Sequence, residues 1–459
     1  MPSQETLYYI IVFISLIYIL SRTRINKLGI FVILVFWSGM FSFMGIQIHN
    51  AYKVLIVLYA FYIWWPKIFK PYFSIDKYVN IAFITFTLSF WISYILQGGN
   101  IITMLSQYGY KYCLVFIIYH GIKDIMINKH KREYLKSLLL NILFVQVYLS
   151  VIKIVIFGFG HESHVGSITY GSGGTAVVLP IVGLIFYWIT KNQMLEKRDW
   201  LIIASFFIIA IASGKRAPVF LFPVFTLLLM VSWKNIFNIR TVSIIIPLVL
   251  LIFYFGVRVT PSLNPDREIW GSFNINHVID YTLEYNFGTN NLTSVIQGNQ
   301  PTSGRGGSLL LLFNTDNLGL NNTEEILFGR GLYRVATREE GRFIGGSAYG
   351  IDHQGLIGSI VIDFYALGLL GMVLIILFSY AIINTCQYQR IKWILLAFYI
   401  WEYLLYGNLV IFNNASAILV VFIIFYGNVK YFQIRNQINN NYYKKSMKYE
   451  GTLSSQCSN

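Results

Sequence analysis

The chain contains 459 residues, of which 56% are apolar and only 12% are charged. Soluble globular domains carry about 25% charged residues, so this composition, with a mean hydropathy of +0.59, excludes an ordinary soluble enzyme and a disordered scaffold. A net charge of +15 would suggest nucleic-acid binding in a soluble protein, but membrane proteins collect Lys and Arg in their cytoplasmic loops. The composition therefore predicts an all-α polytopic membrane protein that binds no nucleic acid.

Apolar stretches follow one another from the N-terminus, with the length that a helix needs to cross a hydrocarbon core of about 30 Å. The first stretch lacks the basic flank and the cleavage site of a signal peptide, so we expect it to remain as a span. About twelve to thirteen spans are predicted, near 5–21, 28–47, 51–66, 78–97, 101–121, 134–157, 173–190, 199–213, 217–233, 241–257, 357–384, 391–409 and 411–431.

Lys and Arg are unevenly distributed between alternate loops. One set of loops, together with the C-terminal tail, carries 23 of these residues, whereas the short loops of the other set carry only Lys53, Lys215 and Arg216. Because basic residues mark cytoplasmic loops, we expect the N-terminus outside and the C-terminus inside. The predicted organisation is a membrane domain of about ten spans (1–257), a large outer loop (258–356), C-terminal spans (357–432) and a cytoplasmic tail (433–459).

The large loop is rich in Asn, Gly, Ser and Thr, and its short apolar run at 308–313 predicts a helix on the membrane face of a folded cap. All its basic residues are arginine: Arg258, Arg267, Arg305, Arg330, Arg334, Arg338 and Arg342. A guanidinium binds phosphate or carboxylate through two parallel hydrogen bonds, which an ammonium cannot do. We expect most of these arginines to pair with acidic residues of the loop and the others to bind an anionic group.

Two further candidate functional residues, Arg216 and His353, lie where predicted spans meet the outer surface. Arg216 follows Ser213-Gly214-Lys215 in an outer turn, where it either reaches the interface as a lone charge or binds an anionic headgroup. His353 lies shortly before a span, and its imidazole suits a general base. No metal site is predicted, because the spacing of His161 and His164 does not place two histidines on one helical face.

Several charged residues fall within predicted spans, where charge is costly and usually faces a cavity or reaches for the interface. Lys153 is close enough to the outer end of its span to reach the interface. Lys111, flanked by tyrosines at positions 110 and 112, lies deep in the span 101–121 and is a candidate for lining a cavity. Asp363 and Glu402 also lie within predicted spans and are candidates for the same role.

Several short blocks resemble the O-antigen polymerase and ligase superfamily of bacterial membrane glycosyltransferases. The turn at 213–217 is similar to the family's Ser-x-Ser-Arg-Gly, with Lys and Ala departing from it, and Ser303–Gly306 followed by Ile326–Gly331 resembles its Gly-Arg block and later glycine turn. His353-Gln354 with Phe364–Gly371 resembles the family's His-Asn followed by Gly-Leu-Leu-Gly, with Gln in place of Asn. The likeness covers about 210–375.

The resemblance implies a fold of the membrane glycosyltransferase C kind and a metal-independent transferase without a cofactor in the bacterial inner membrane, with the large loop in the periplasm. It implies that Arg216 and Arg305 hold the diphosphate of a polyprenyl-linked sugar and that His353 is the base. The remaining candidates, for cavity or secondary substrate contacts, are Lys111, Lys215, Arg330 and Arg334.

The function that we expect is polymerisation of undecaprenyl-diphosphate-linked oligosaccharides, which serve as donor and acceptor, in contact with membrane lipid and with a chain-length regulator protein as a possible partner. A ligase that transfers the finished glycan to lipid A core is the close alternative. A flippase that moves lipid or polysaccharide without covalent chemistry is a third interpretation, although it should have paired repeats and a polar pathway at the membrane centre.

Overall fold

The computed structural model describes residues 3–22, 26–44, 46–68, 76–99, 101–158, 166–168, 174–191, 196–212, 216–230, 239–260, 263–268, 270–287, 308–313, 315, 320–331, 358–407 and 409–431. These residues form helices joined by turns and contain no β-strand, as predicted for an all-α protein.

In chain order the helices are α1 (Gln4–Arg22), α2 (Lys27–Phe36), α3 (Ser38–Phe43), α4 (Ile46–Ile68), α5 (Asp76–Gln97), α6 (Ile101–Gln107), α7 (Leu114–Ile127), α8 (Lys129–Phe157), α9 (Gly174–Thr190), α10 (Lys197–Ala212), α11 (Arg216–Met230), α12 (Ile239–Val259), α13 (Ile275–Phe287), α14 (Thr323–Phe328), α15 (Ser359–Asn384), α16 (Gln389–Leu405), α17 (Leu409–Phe412) and α18 (Asn414–Tyr431). A π-helical turn (Tyr108–Cys113) joins α6 to α7, and a 3₁₀ helix covers Leu309–Phe313.

Five helices of the described part of the chain, α1, α5, α8, α15 and α18, are long and apolar enough to cross a membrane. The other predicted spans also coincide with helix, but these helices are shorter or less apolar. The stretch 28–47 differs from the prediction of one span, because the backbone leaves helical geometry at Trp37 and separates α2 from α3.

Large apolar side chains cover much of the outer surface of the helices. Ile95 is 76% exposed, Val155 is 79% exposed and Leu201 is 75% exposed. In water such a surface would drive aggregation, since soluble monomers rarely expose extended apolar patches. A lipid environment removes that cost, so the exposed surface agrees with the apolar spans in indicating a membrane protein.

Helix packing is organised around two long neighbours, α5 and α15, which run side by side, with α14 against both of them. The helix formed by α6, the π-turn and α7 packs on α4, while α8 packs against α1 and α10. The connection between α16 and α18 turns into the bundle, because Phe412 of α17 contacts the rings of Tyr112 (centroids 5.3 Å apart) and Phe378 (6.1 Å). Polar groups in this connection are therefore inside the protein.

Candidate functional site

The large loop joins the helices at one end of the bundle, which we call the cap end. This end includes Gln97 of α5, Ser359 of α15 and Tyr406 after α16. The Ser359 N–H donates to the Tyr406 carbonyl oxygen at 3.0 Å, and Gly331 of the loop lies against Gln97. At the opposite end, Asn428 of α18 donates to the Thr385 carbonyl oxygen at 2.9 Å. The long helices separate the two ends.

A turn of the large loop docks on a break in α15. Gly368 has φ 69° and ψ −178° inside this helix, so carbonyl groups just before it lose their helical partners. Two of these carbonyls, of Tyr365 and Ala366, accept hydrogen bonds from the N–H groups of Arg330 (2.8 Å) and Gly331 (3.0 Å). We call this arrangement, formed by residues 327–331 and 365–368, the glycine latch.

Two glycines permit the close backbone contact in the glycine latch. Gly329 and Gly368 both have positive φ, of 75° and 69°, a region that costs other residues strain. A Cβ on Gly329 would lie 2.5 Å from backbone atoms of Ala366, Leu367 and Gly368, and a Cβ on Gly368 would overlap the Leu327 carbonyl group. Both positions therefore require glycine for two separate reasons, backbone conformation and space.

Local sequence explains why a short helix precedes the glycine latch. The Asn322 side chain caps α14 by accepting a hydrogen bond from the Glu325 N–H at 2.7 Å, and the Glu325 carboxylate accepts one from the Asn321 N–H at 2.9 Å. This reciprocal arrangement satisfies amide groups that a helix start leaves without partners. The helix ends where the Gly329 N–H donates to the Glu325 carbonyl oxygen at 2.7 Å.

A second contact attaches the loop to the start of α15. The Gly358 N–H donates to Ser308 Oγ at 3.5 Å, and Ser308 is fully buried. A Cβ on Gly358 would overlap the Leu404 carbonyl oxygen, so the chain entering α15 lies directly on the end of α16. Two separate segments of the loop thus meet the half of α15 that precedes Gly368.

Three charged side chains come together next to this half of α15. Lys111 Nζ lies 3.8 Å from Asp363 Oδ1, and the side chains are 28% and 1% exposed. Glu402 is buried and close enough to interact electrostatically with Lys111. We call these residues the charge cluster. An ammonium in such a cluster can bind an anion, and a carboxylate can accept a proton or orient the ammonium.

Aromatic residues surround the charge cluster. Tyr399 and Tyr403 stack with ring centroids 5.6 Å apart, and both are close to Asp363. The Lys111 ammonium lies 5.1 Å from the centroid of the Tyr112 ring, a distance at which the ring attracts a cation. The cluster therefore has a largely apolar wall with a few phenolic hydroxyl groups.

Glu402 stabilises the turn between α16 and α18. Its two carboxylate oxygens accept hydrogen bonds from the Gly407 N–H at 3.0 Å and the Val410 N–H at 3.5 Å. The Asn414 side chain donates to the Tyr110 carbonyl oxygen at 3.0 Å, so α18 begins beside the π-helical turn. Glu402 therefore holds the chain between α16 and α18, and Asp363 lies beside Lys111 at 3.8 Å.

The sequence-predicted site residues divide into three groups. The side chains of Lys111 and Arg330 are described, and Arg330 Nε lies 3.5 Å from Glu325 Oε1. Arg216 is the first residue of α11. The predicted positions Lys215, Arg305, Arg334 and His353 lie outside the described residues.

Helix α11 starts at the cap end. It packs beside α16 in the opposite direction, since the rings of Phe225 and Phe398 have centroids 5.1 Å apart and Arg390, at the start of α16, donates to the Leu228 carbonyl oxygen at 2.7 Å. The backbone of Arg216 therefore lies at the end where α16 finishes. In sequence, Ser308 follows Arg305 by three residues, and Gly358 follows His353 by five.

One loop arginine binds backbone carbonyl groups. Arg258, at the end of α12, donates to the carbonyl oxygens of Gly271 (3.0 Å) and Trp270 (3.2 Å). Nearby, the Ser272 N–H donates to the Asp266 carboxylate and lowers its pKa. These contacts fix the first turn of the loop on α12.

No protein family model matches the chain, and no curated protein is significantly similar to it.

Proposed function

We propose that this chain is a polymerase that joins polyprenyl-diphosphate-linked oligosaccharide repeat units at the outer face of a bacterial inner membrane. The observation that supports this proposal is the attachment of motif-bearing loop segments to one half-helix. The segment that follows Arg305 contacts Gly358 through Ser308, the block ending at Gly331 contacts Ala366, and Gly358 itself follows the His353 block. The helix that begins with Arg216 starts at the same cap end.

In the proposed reaction, a hydroxyl oxygen of the acceptor sugar attacks the anomeric carbon of the donor sugar. The bond from this carbon to the diphosphate oxygen breaks, and polyprenyl diphosphate leaves with the bonding electrons. His353 takes the hydroxyl proton, because an imidazole accepts a proton near neutral pH. Arg216 and Arg305 bind the diphosphate and offset the negative charge that develops on it.

The proposed topology has about twelve to thirteen spans, a fold of the membrane glycosyltransferase C kind, a periplasmic N-terminus and a cytoplasmic C-terminus. The loop 258–356 then lies in the periplasm, between the membrane domain 1–257 and the C-terminal spans 357–432. This arrangement keeps the polyprenyl chain in the bilayer and the glycan in water. A chain-length regulator protein is the proposed partner in the membrane.

Deletion of the gene, followed by gel analysis of the surface glycan, tests the reaction class. A polymerase mutant should still display single repeat units, because one unit can be transferred without polymerisation. Complete glycan that stays on the lipid carrier would instead indicate a ligase. Intermediates that accumulate inside the cell would indicate a flippase.

Transfer by the purified protein on lipid-linked repeats tests the base. A positioned base contributes about 10²–10⁴-fold, so His353→Ala should reduce transfer by about that factor and leave donor binding nearly intact. His353→Gln should do no better, because an amide takes up no proton at neutral pH. His277→Ala, at another histidine of the loop, is the matched control. Transfer at the wild-type rate in His353→Ala would place the base elsewhere, and loss of wild-type transfer with a chelator would contradict a metal-free mechanism.

A further inference from the structure

The helix from α6 to α7 carries the lysines of two Lys–Asp pairs whose geometry differs. Lys123, at the opposite end of the bundle, makes a close ion pair with Asp76, and the Tyr119 hydroxyl donates to the second carboxylate oxygen at 3.0 Å. The side chains of Lys123 and Asp76 are 5% and 6% exposed. This close and buried geometry is that of a structural ion pair that holds α5 and α7 together.

The second pair, Lys111 with Asp363, is looser and more open. Its N–O distance of 3.8 Å exceeds the length of about 2.7–2.9 Å typical of a charge-assisted hydrogen bond. The Lys111 side chain is 28% exposed, although Asp363 is 1% exposed. An ammonium has three N–H donors, so Lys111 can interact with Asp363 and still donate to an anion from its open side.

The backbone around Lys111 is also unusual. Residues Tyr108–Cys113 form a π-helical turn, and such turns are rare and occur frequently at functional sites. Lys111 lies within this turn and precedes Lys123 by 12 residues, about 18 Å along the helix at 1.5 Å per residue. This distance places its ammonium in the half of the bundle nearer the cap end, beside the half-helix to which the large loop is attached.

We infer that Lys111 binds the diphosphate of the lipid-linked substrate as a cation additional to Arg216 and Arg305, and that Asp363 is its counter-ion when no substrate is bound. This inference rests on the proposed function. A buried ion pair contributes little net stability compared with apolar side chains of similar volume, and ionisable residues inside a membrane usually serve function. Asp363 follows the start of α15 by only four residues, about 6 Å along the helix, so the ammonium beside it lies close to the cap end. A polyprenyl diphosphate carries its anionic group at this boundary, where its lipid chain enters the bilayer.

The direct test is binding of undecaprenyl diphosphate to the purified full-length protein in nanodiscs, with undecaprenol as the probe that lacks the diphosphate. Lys111→Met should weaken diphosphate binding by about 10- to 100-fold, since it removes hydrogen bonds to a charged group, and should leave undecaprenol binding unchanged. Lys123→Met is the matched control at the tight pair. It should lower the unfolding temperature and leave the affinity of the folded protein unchanged.

Asp363→Asn distinguishes anion binding by Lys111 from a purely structural ion pair between Lys111 and Asp363. Removing a carboxylate next to the ammonium reduces repulsion of an incoming anion, so the affinity for undecaprenyl diphosphate should rise, by up to about tenfold. A purely structural ion pair predicts instead that Lys111→Met and Asp363→Asn both weaken the binding of undecaprenyl diphosphate. The Asp363→Asn variant also decides the matter if Lys111→Met does not fold, because unchanged or weaker binding would overturn the inference.

The outcomes distinguish this inference from the proposed function. If the wild-type protein binds undecaprenyl diphosphate no better than undecaprenol, the proposed donor is wrong and the inference fails with it. If the wild type discriminates between the two lipids but folded Lys111→Met binds the diphosphate equally well, the donor stands and the role of Lys111 is refuted.

Discussion

A guanidinium at position 216 or 305 would meet a diphosphate through two parallel N–H donors, whereas a lysine would supply only a point charge. We therefore expect Arg216→Ala and Arg305→Ala each to abolish polymer while the protein still inserts into the membrane. Arg→Lys at either position should restore part of the polymer. The measurement is the chain-length distribution of the surface glycan, normalised to the amount of membrane-inserted protein.

The control for these arginines is Arg338→Ala, in the same loop beside acidic residues at positions 339 and 340. We expect this variant to retain most of the polymer, because Arg338 belongs to the arginines expected to pair with acidic residues. Normal polymer from Arg305→Ala would instead show that the preference for arginine in the loop is structural.

Cys386, between α15 and α16, provides a second prediction for a single residue. Burial raises the pKa of its thiol to about 12, and the Sγ atom lies 3.6 Å from the Tyr388 carbonyl oxygen. Because the thiolate is the reactive form, Cys386 should not react with N-ethylmaleimide at pH 8 in the folded protein. Mass spectrometry of the labelled peptide should detect modification only after denaturation. Rapid labelling of the folded protein would contradict the buried position.

At the scale of helices and turns, the glycine latch predicts unequal costs for four Gly→Ala substitutions. Gly329→Ala and Gly368→Ala add both backbone strain and overlap with backbone atoms, whereas Gly98→Ala and Gly158→Ala, at φ of 72° and 79°, meet nothing within 4 Å. Strain alone costs about 1–3 kcal/mol. The latch variants should therefore lower the unfolding temperature more than the two controls, and protease cleavage within 332–357 should be faster in the latch variants only.

Equal effects of all four substitutions would mean that the overlap at the glycine latch is relieved by a small shift of the chain. In that case the contact between the loop and α15 would be weaker than its two hydrogen bonds and close backbone packing indicate.

The positions of the helices could be predicted from sequence, but the contacts that build the site could not. Each span is a local stretch of apolar residues, so hydropathy locates it without knowledge of the fold. The break at Gly368 lies inside such a stretch and leaves its hydropathy unchanged. The hydrogen bond from Arg330 to Tyr365 joins residues 35 positions apart, and no local pattern predicts that pairing.

The residues of the charge cluster can be identified in the sequence, but their proximity cannot. Lys111, Asp363 and Glu402 each stand out as single charges in apolar sequence, so each could be identified as unusual. Their mutual proximity depends on how three helices pack, which the sequence of one helix does not determine. The stacked pair Tyr399 and Tyr403 has the i, i+4 spacing of neighbours on one helical face, a signal that was available but could also arise from ordinary core packing.

At the scale of the whole molecule, cations lie beside aromatic rings at both ends of the bundle. At the cap end, Arg258 lies 5.7 Å from the Tyr254 ring centroid and 5.9 Å from that of Trp270. Such contacts also lie at the opposite end. Lys27 lies 4.5 Å from the Tyr62 ring centroid, Arg390 lies 5.3 Å from that of Trp188, and Lys430 lies 5.1 Å from that of Tyr426. Trp and Tyr are enriched at membrane interfaces, and basic residues are enriched on the cytoplasmic side. Contacts of this kind at both ends agree with two membrane interfaces, and the orientation of the chain stays a prediction.

The proposed topology predicts the behaviour of reporter fusions. A reporter active only in the cytoplasm should be silent at position 300, in the large loop, and active at position 440, in the C-terminal tail. Both fusions should be measured against protein abundance in the membrane. Cytoplasmic activity at position 300 would reverse the orientation and exclude every site assignment that depends on it.

The large loop is attached to α15 at Gly331 and at Gly358, so the length of the segment between them can vary among related chains. Gly331 bonds to Ala366, which lies eight residues after Gly358, so the two attachment points are about 12 Å apart along one helix. The 26 residues between them connect two points on the same helix, α15. Doubling the length of such a connecting segment raises the entropic cost of loop closure by only about 0.6 kcal/mol. The part of this segment that precedes His353 can therefore lengthen or shorten while the helices on which it is anchored keep their positions.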